Sequence, residues 1–316
     1  MTFHRMLLAA CLLMVPTVAL AQTPAQTSAP APPSPQAQTH LDAARKLAGN
    51  DLPLMCGGPE KPDPPAADQT TAEPPTRAFD NLYYVGPKYV SGWVVKTSAG
   101  LILIDAPFNG DLGKNVLVPS MVALGLDPTQ LKYVVVTHGH TDHCGGAQYF
   151  KDTYGAKIVM SQQDASGRVR NPQGAPLSGP MPVPDIFATD GYKLTLGDTT
   201  LTLYATPGHT PGTFSMIFPV YDHGTRHMAA LWGGYGFPER AVMQDAYRDS
   251  LAHFKTVTSA AHVDVALTNH IESYGDDVKL AKIRAGAKPN PLILGEGGYQ
   301  RFLSERAECL DAEIAH

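Results

Sequence analysis

The chain has 316 residues, 43% hydrophobic and 17% charged, enough apolar material for a sizeable core, which excludes a disordered or coiled-coil protein. Lys and Arg number 24 against 29 Asp and Glu, and the resulting net charge of -5 offers no footprint for a nucleic-acid backbone, so no nucleic-acid partner is expected. After the first two dozen residues no apolar stretch approaches the ~20 needed to cross a bilayer, so the mature chain is expected to be soluble, without a membrane span.

At the N-terminus, Arg5 precedes an apolar run from Met6 to Leu20 that closes on Ala19-Leu20-Ala21. This is the order of a secretory signal peptide, predicting cleavage after Ala21 and a periplasmic or secreted protein. Leu8-Ala9-Ala10-Cys11 offers a lipoprotein signal as the alternative, with a short apolar segment ahead of the cysteine. Residues 22–40 are nearly all Ala, Pro, Gln, Ser and Thr and read as a disordered tether. The remainder, 41–316, reads as one domain with an N-terminal extension to about residue 80. Cys56, Cys144 and Cys309 survive processing, an odd count that suggests one disulfide and one free thiol in an oxidising compartment. Pairing Cys56 with Cys309 would staple the leading segment to the last helix; two free thiols are the alternative.

From Leu82 onward, short strands rich in β-branched and aromatic residues are predicted at Tyr83–Val85, Gly92–Lys96 and Leu101–Ile104. A helix around Leu112–Leu124, a strand at Tyr133–Val136, a helix near Gly145–Thr153 and a strand at Ile158–Met160 follow. The second half predicts strands near Lys193–Leu196, Thr200–Tyr204, Thr213–Phe218 and Met228–Leu231, a helix near Arg240–Ser259, a strand at Val263–Leu267 and a terminal helix near Glu296–Ile314. Two mixed halves imply an α/β fold of two packed sheets with helices outside. Between them Arg168–Asp185 is dense in Pro and Gly, and reads as a long loop walling an active site.

Directly after the Tyr133–Val136 strand comes His138-Gly139-His140-Thr141-Asp142-His143, four metal-ligand side chains within six positions at a strand-to-helix turn. Imidazoles and a carboxylate suit zinc, and a turn lets alternate side chains converge where a regular strand would splay them.

His-x-His-x-Asp-His after an apolar strand resembles the signature of the metallo-β-lactamase superfamily. Pro207-Gly208-His209-Thr210 closing one strand and Leu267-Thr268-Asn269-His270 ending another are similar to its later histidine motifs. The resemblance spans roughly Leu82 to His316 and implies a four-layer αβ/βα sandwich, two packed mixed β-sheets with helices on the outside, and a metal centre at one edge. It also implies two zinc ions per chain, one held by His138, His140 and His209 and the other by Asp142, His143 and His270. Such a pair would lower the pKa of a shared water and supply a hydroxide nucleophile, which Asp142 would orient as the catalytic residue.

Glyoxalase II and the lactonases resemble one another in a Gly-Asp after a later strand, whose carboxylate bridges both metals. Here that place reads Leu231-Trp232-Gly233-Gly234-Tyr235, without a carboxylate, and without the cysteine of subclass B1 β-lactamases. The ligand set is most similar to subclass B3 metallo-β-lactamases, implying hydrolysis of a small-molecule β-lactam, with another substrate such as a lactone or phosphoester as the alternative. This sequence departs from that subclass where a serine-rich segment is usual and Gly233–Pro238 stands instead. Thr141 also replaces a frequent aromatic, and Ile271-Glu272-Ser273 follows His270 in place of proline. Tyr235, Asn269 and Ser273 are candidate substrate contacts.

Cys144 reads as a small buried apolar residue at a helix start, and His223, His227, His253 and His262 as ordinary surface or helix histidines. A mononuclear iron sulfur dioxygenase and a non-catalytic zinc-binding protein are the competing classes, disfavoured by the absent bridging aspartate and by the complete six-ligand set.

Overall fold

The computed structural model describes residues 32–56, 69–166, 179–271 and 274–316. The chain divides into two units, Met1–Pro32 and Pro33–His316, and all the elements below belong to the second. The signal peptide predicted over 1–21 lies outside the described residues. The tether predicted over 22–40 does not reach its expected end: helix α1 runs Pro35–Ala48, capped by the Ser34 side chain, which accepts from the Ala37 amide. Composition concealed a narrow apolar stripe, Ala37, Leu41, Ala44 and Ala48, which is buried against the last helix of the chain.

Twelve strands form two mixed sheets among the described residues. The first holds β1 (Thr76–Arg77), β2 (Leu82–Tyr84), β3 (Trp93–Thr97), β4 (Gly100–Ile104), β5 (Leu131–Val135), β6 (Lys157–Ser161) and β7 (Ile186–Ala188) in sequential order. It is antiparallel up to β4 and parallel from β4 to β7. The second comprises β8 (Tyr192–Leu196), β9 (Thr199–Ala205), β10 (Phe214–Asp222), β11 (Thr225–Trp232) and β12 (Val265–Thr268), in the order β12-β11-β10-β9-β8. Only β11 and β12 are parallel neighbours there.

Alternation along the strands explains the layering, because successive side chains point to opposite faces. Ile102, Ile104, Val135 and Val159 of the first sheet meet Leu203, Met216, Phe218 and Leu231 of the second in a central core. The opposite face of the first sheet, through Leu103, Val134 and Val136, packs on helical residues Leu117, Met121 and Phe150. The outer face of the second, through Ile217, Ala230 and Trp232, packs on Tyr247, Leu251 and Phe254 and on Tyr299, Phe302 and Leu310. Three cores separate four layers, the predicted αβ/βα sandwich.

Helices flank the sheets as α2 (Gly110–Leu112), a π-helical turn Gly113–Leu117, α3 (Val118–Ala123), α4 (Thr141–Cys144), α5 (Ala147–Tyr154), α6 (Gln162–Ala165), α7 (Ala241–Ala260), α8 (Asp276–Arg284) and α9 (Gly295–Ile314). No helix among the described residues is long and apolar enough to cross a membrane. Helix α8 went unpredicted because its apolar positions have little helical periodicity; its start is marked by Asp276 and Asp277 in the first turn. Cys56 and Cys309 form a disulfide, tying the segment after α1 to α9, and Cys144 is a buried free thiol.

Candidate metal centre

Strands β4, β5 and β6 run parallel, so their C-terminal ends share one edge, and β9, β11 and β12 likewise end together in the second sheet. All six predicted ligands follow these ends: His138 and His140 on the loop after β5, Asp142 and His143 in the α4 turn that continues it, His209 after β9 and His270 after β12. The structure gathers them into two sets, His138–His140–His209 and Asp142–His143–His270, each with one donor atom per residue within 4.8 Å of the others. In the first, His209 Nε2 stands 3.0 Å from His140 Nδ1. In the second, His143 Nε2 lies 3.2 Å from His270 Nε2 and 3.3 Å from Asp142 Oδ2. The rings of His138 and His143, one from each set, are 4.1 Å apart. His138, His143 and His270 are buried, whereas His140, Asp142 and His209 are half-buried and form the open side.

Each set is oriented by groups behind it. His143 Nδ1 donates to Asp105 Oδ2 at 2.9 Å, which turns Nε2 toward Asp142 and His270. Asp105 sits at the end of β4 with φ +59, fully buried, and its carboxylate also accepts from the amide and hydroxyl of Thr137, both at 2.8 Å. His209 Nδ1 donates to the Gly236 carbonyl at 2.9 Å, likewise freeing Nε2. Asp164, in α6, binds the loops of His138/His140 and His209 together through Gly139, Thr210 and Gly212.

Electrostatics suit a cation. Burial holds the His138 imidazole well below its ordinary range, with the neighbouring imidazoles acting in the same direction. Burial and the facing rings likewise take His209 and His270 down to about 3, keeping them neutral. For Asp142, burial pushes the carboxyl up, but His143, His270 and His140 outweigh it and hold it ionised, well below the usual carboxylate range. His143 is the converse: burial lowers it, yet Asp142 and Asp105 raise it to about 10. Nε2 of His138 is buried without a hydrogen-bond partner. Neutral imidazoles at His138, His209 and His270, an ionised carboxylate and an orphaned buried nitrogen converging on two points match the donor set of a divalent metal centre, which would take the place of the proton that the carboxylates hold on His143.

Other sequence-predicted residues fare unevenly. Tyr235 lines the mouth, its ring 4.8 Å from that of His270, and Tyr89 packs edge-on to His270 at 5.1 Å. Asn269 is corrected: it is fully buried, and its amide donates to the Gly233 carbonyl at 2.7 Å, so it holds two loops together and faces no substrate. Ser273 lies outside the described residues, as does 168–178 of the predicted Arg168–Asp185 wall; beyond it, Gly179 donates to the Phe108 carbonyl at 2.6 Å. Cys144 is buried with its thiol pushed up by burial, an inert packing residue as expected. His227 pairs with Asp264 and His262 with Glu296, both away from the centre. Sequence reasoning missed Asp164, although Ser161-x-x-Asp164 after a strand is a capping pattern and Ser161 does accept from the Asp164 amide.

A two-sheet sandwich with two sets of candidate metal ligands at one edge is the architecture of a metallo-hydrolase. The model of the metallo-β-lactamase superfamily matches residues 85–222. The crystal structure of BJP-1, a subclass B3 metallo-β-lactamase of Bradyrhizobium japonicum, is 32% identical, with a TM-score of 0.67 over 78% of this chain and 96% of that one. Among curated sequences, the uncharacterized protein YobT of Bacillus subtilis (strain 168) is 28% identical over 229 residues, 69% of this chain and 87% of that one. The N-acyl homoserine lactonase AttM of Agrobacterium fabrum is 32% identical over 114 residues, 32% of this chain and 40% of that one. The chain belongs to the metallo-β-lactamase superfamily and is similar in structure to its subclass B3 members.

Proposed function

We propose that this chain is an exported zinc hydrolase that opens the β-lactam amide, with one zinc on each ligand set. The observation that carries the reading is the second set, Asp142–His143–His270, together with Gly233 and Gly234 directly after β11, where a carboxylate would be needed for a bridging site. A Cβ at Gly233 would lie 1.8 Å from the Phe214 carbonyl, so the backbone itself fills that position. Similarity to BJP-1 over most of its length supports the same substrate class.

Bound zinc would polarise the amide carbonyl and bring a water molecule's pKa near neutrality. The chain's own groups do the rest. Asp142 Oδ2, ionised and half-buried, would accept a hydrogen bond from the attacking water and so fix its direction. Asp105 and the Gly236 carbonyl keep His143 and His209 in the ligating tautomer. Tyr235 and Tyr89 wall the mouth around His270 and exclude water from the substrate's apolar face. Ser273 is retained as a substrate contact. The Cys56–Cys309 disulfide and the N-terminal sequence favour an oxidising compartment such as the periplasm, where the activity would confer β-lactam resistance.

Lactone opening is the second reading, favoured by the similarity to AttM. The deciding experiment measures turnover of a penicillin, a cephalosporin, a carbapenem and an acyl homoserine lactone by zinc-loaded protein, with and without a chelator. Chelator-sensitive β-lactam hydrolysis with kcat/KM above about 10⁴ M⁻¹s⁻¹ is expected. Lactone turnover alone would replace the β-lactamase reading.

A further inference from the structure

Behind the three-histidine set lies a carboxylate with no part in the proposed chemistry. Asp164 is fully buried in α6, the short helix that follows β6. Its Oδ2 accepts from the Gly139 amide at 2.8 Å and from the Thr210 hydroxyl at 2.6 Å, and its Oδ1 accepts from the Gly212 amide at 2.8 Å. Gly139 lies between His138 and His140, on the loop leaving β5 of the first sheet; Thr210 follows His209, on the loop leaving β9 of the second. One carboxylate thus spans the seam between the sheets at the point where they must meet to bring three imidazoles together. Two further contacts build the joint: the Thr210 and Thr213 hydroxyls lie 2.7 Å apart, and Gly212 approaches so closely that a Cβ there would stand 1.9 Å from Ser161 Oγ. Three neutral donors aimed at one buried carboxylate resist displacement, because freeing any of them would leave a buried polar group unpaired.

We propose that Asp164 is a positioning residue for the His138–His140–His209 set, fixing the distance between its two loops as Asp105 fixes His143 in the other set. The inference rests on the reading of these sets as metal sites, but not on any substrate. Asp164→Asn keeps the shape while replacing one acceptor oxygen by an NH₂ that faces a donor, so at least one arm of the clamp is lost.

The test measures Zn²⁺ affinity by competition with a chromophoric chelator in two backgrounds, His270→Ala, which disables the second set, and His209→Ala, which disables the first. Asp164→Asn should weaken zinc binding about 10–100-fold in the His270→Ala chain and leave the His209→Ala chain unchanged. Thr210→Val, which deletes a single arm and is less prone to misfold, should lose affinity in the same background, and Thr210→Ser should restore it. Equal losses in both backgrounds, or none in either, would overturn the proposal, the former because it reports a general loosening of the fold. Failure of the unmutated chain to bind zinc would sink the metal reading itself.

Discussion

Asp105 Oδ2 lies 2.9 Å from His143 Nδ1, both side chains fully buried, so a carboxylate from β4 determines which ring nitrogen of a β5-loop histidine faces the centre. The same carboxylate takes both Thr137 donors, so it also locks the loop's first residue. Replacing Asp105 with Ala therefore removes the tautomer constraint and leaves the Thr137 amide unpaired. Zinc titration monitored by calorimetry should show the second equivalent weakened about 10–100-fold with the first retained. Two unaltered equivalents would show that His143 needs no such partner.

Arg306 is buried in α9 and reaches across to the active-site segment, donating to the Tyr235 carbonyl and the Tyr247 hydroxyl, both at 2.5 Å, and to the Tyr274 hydroxyl at 2.7 Å. Its guanidinium stacks 4.6 Å from the Phe237 ring centre, so one cation gathers aromatics from three segments. Arg306→Lys should destabilise the fold by about 2–4 kcal/mol, since one ammonium cannot serve three acceptors in a planar fork. Urea denaturation checks this, and an unchanged midpoint would contradict it.

Gly233 admits no side chain, because a Cβ would lie 1.8 Å from the Phe214 carbonyl, whereas at Gly236 the nearest contact is a His209 ring atom at 3.3 Å. Serine at the two positions should behave differently: Gly233→Ser lowers the melting temperature sharply or blocks folding, and Gly236→Ser costs far less, because only the His209 ring has to give by a few tenths of an ångström. Comparable thermal denaturation curves for the two variants would be inconsistent with this packing.

Glu305 is buried beside the disulfide; Oε1 accepts from the Met55 amide at 2.8 Å, while Oε2 has no partner. Burial pushes its carboxyl up to about 7, from an ordinary 4.5. The folded state therefore holds a proton that the unfolded chain releases earlier. This contribution to stability is fully present below the unfolded pKa and is lost as pH rises through about 7. Between pH 4.5 and 7.5 the parent should lose about 3 kcal/mol relative to Glu305→Gln, read from denaturant midpoints of both proteins. Parallel pH profiles would exclude the shift.

Much of this centre was legible before folding. His138 to His143 crowd one turn after an apolar strand, and chemistry alone explains such crowding; His209 and His270 needed the resemblance, because a lone histidine after a strand carries no signal of its own. What sequence could not supply was burial set by distant chain: Asn269 looked like a mouth residue until Gly233 claimed its amide. Asp164 is 25 residues from Gly139 and 46 from Thr210, so no local pattern joins them. At the other extreme, α1 was hidden by composition, since alanine and glutamine suit both a tether and a helix, and only the docking surface of α9 decides between them.

The Cys56–Cys309 bond closes a covalent ring across a sequence separation of 253 that contains all twelve described strands and all six candidate ligands. In topological terms the catalytic unit has no free ends. A single cut at an exposed turn would open the ring without dividing the molecule, and the two halves of the sandwich, each holding part of the metal centre, would stay at high effective concentration. Closing a ring of this size removes loop entropy worth about 5 kcal/mol from the unfolded chain. A molecule made where thiols stay reduced begins without that restraint.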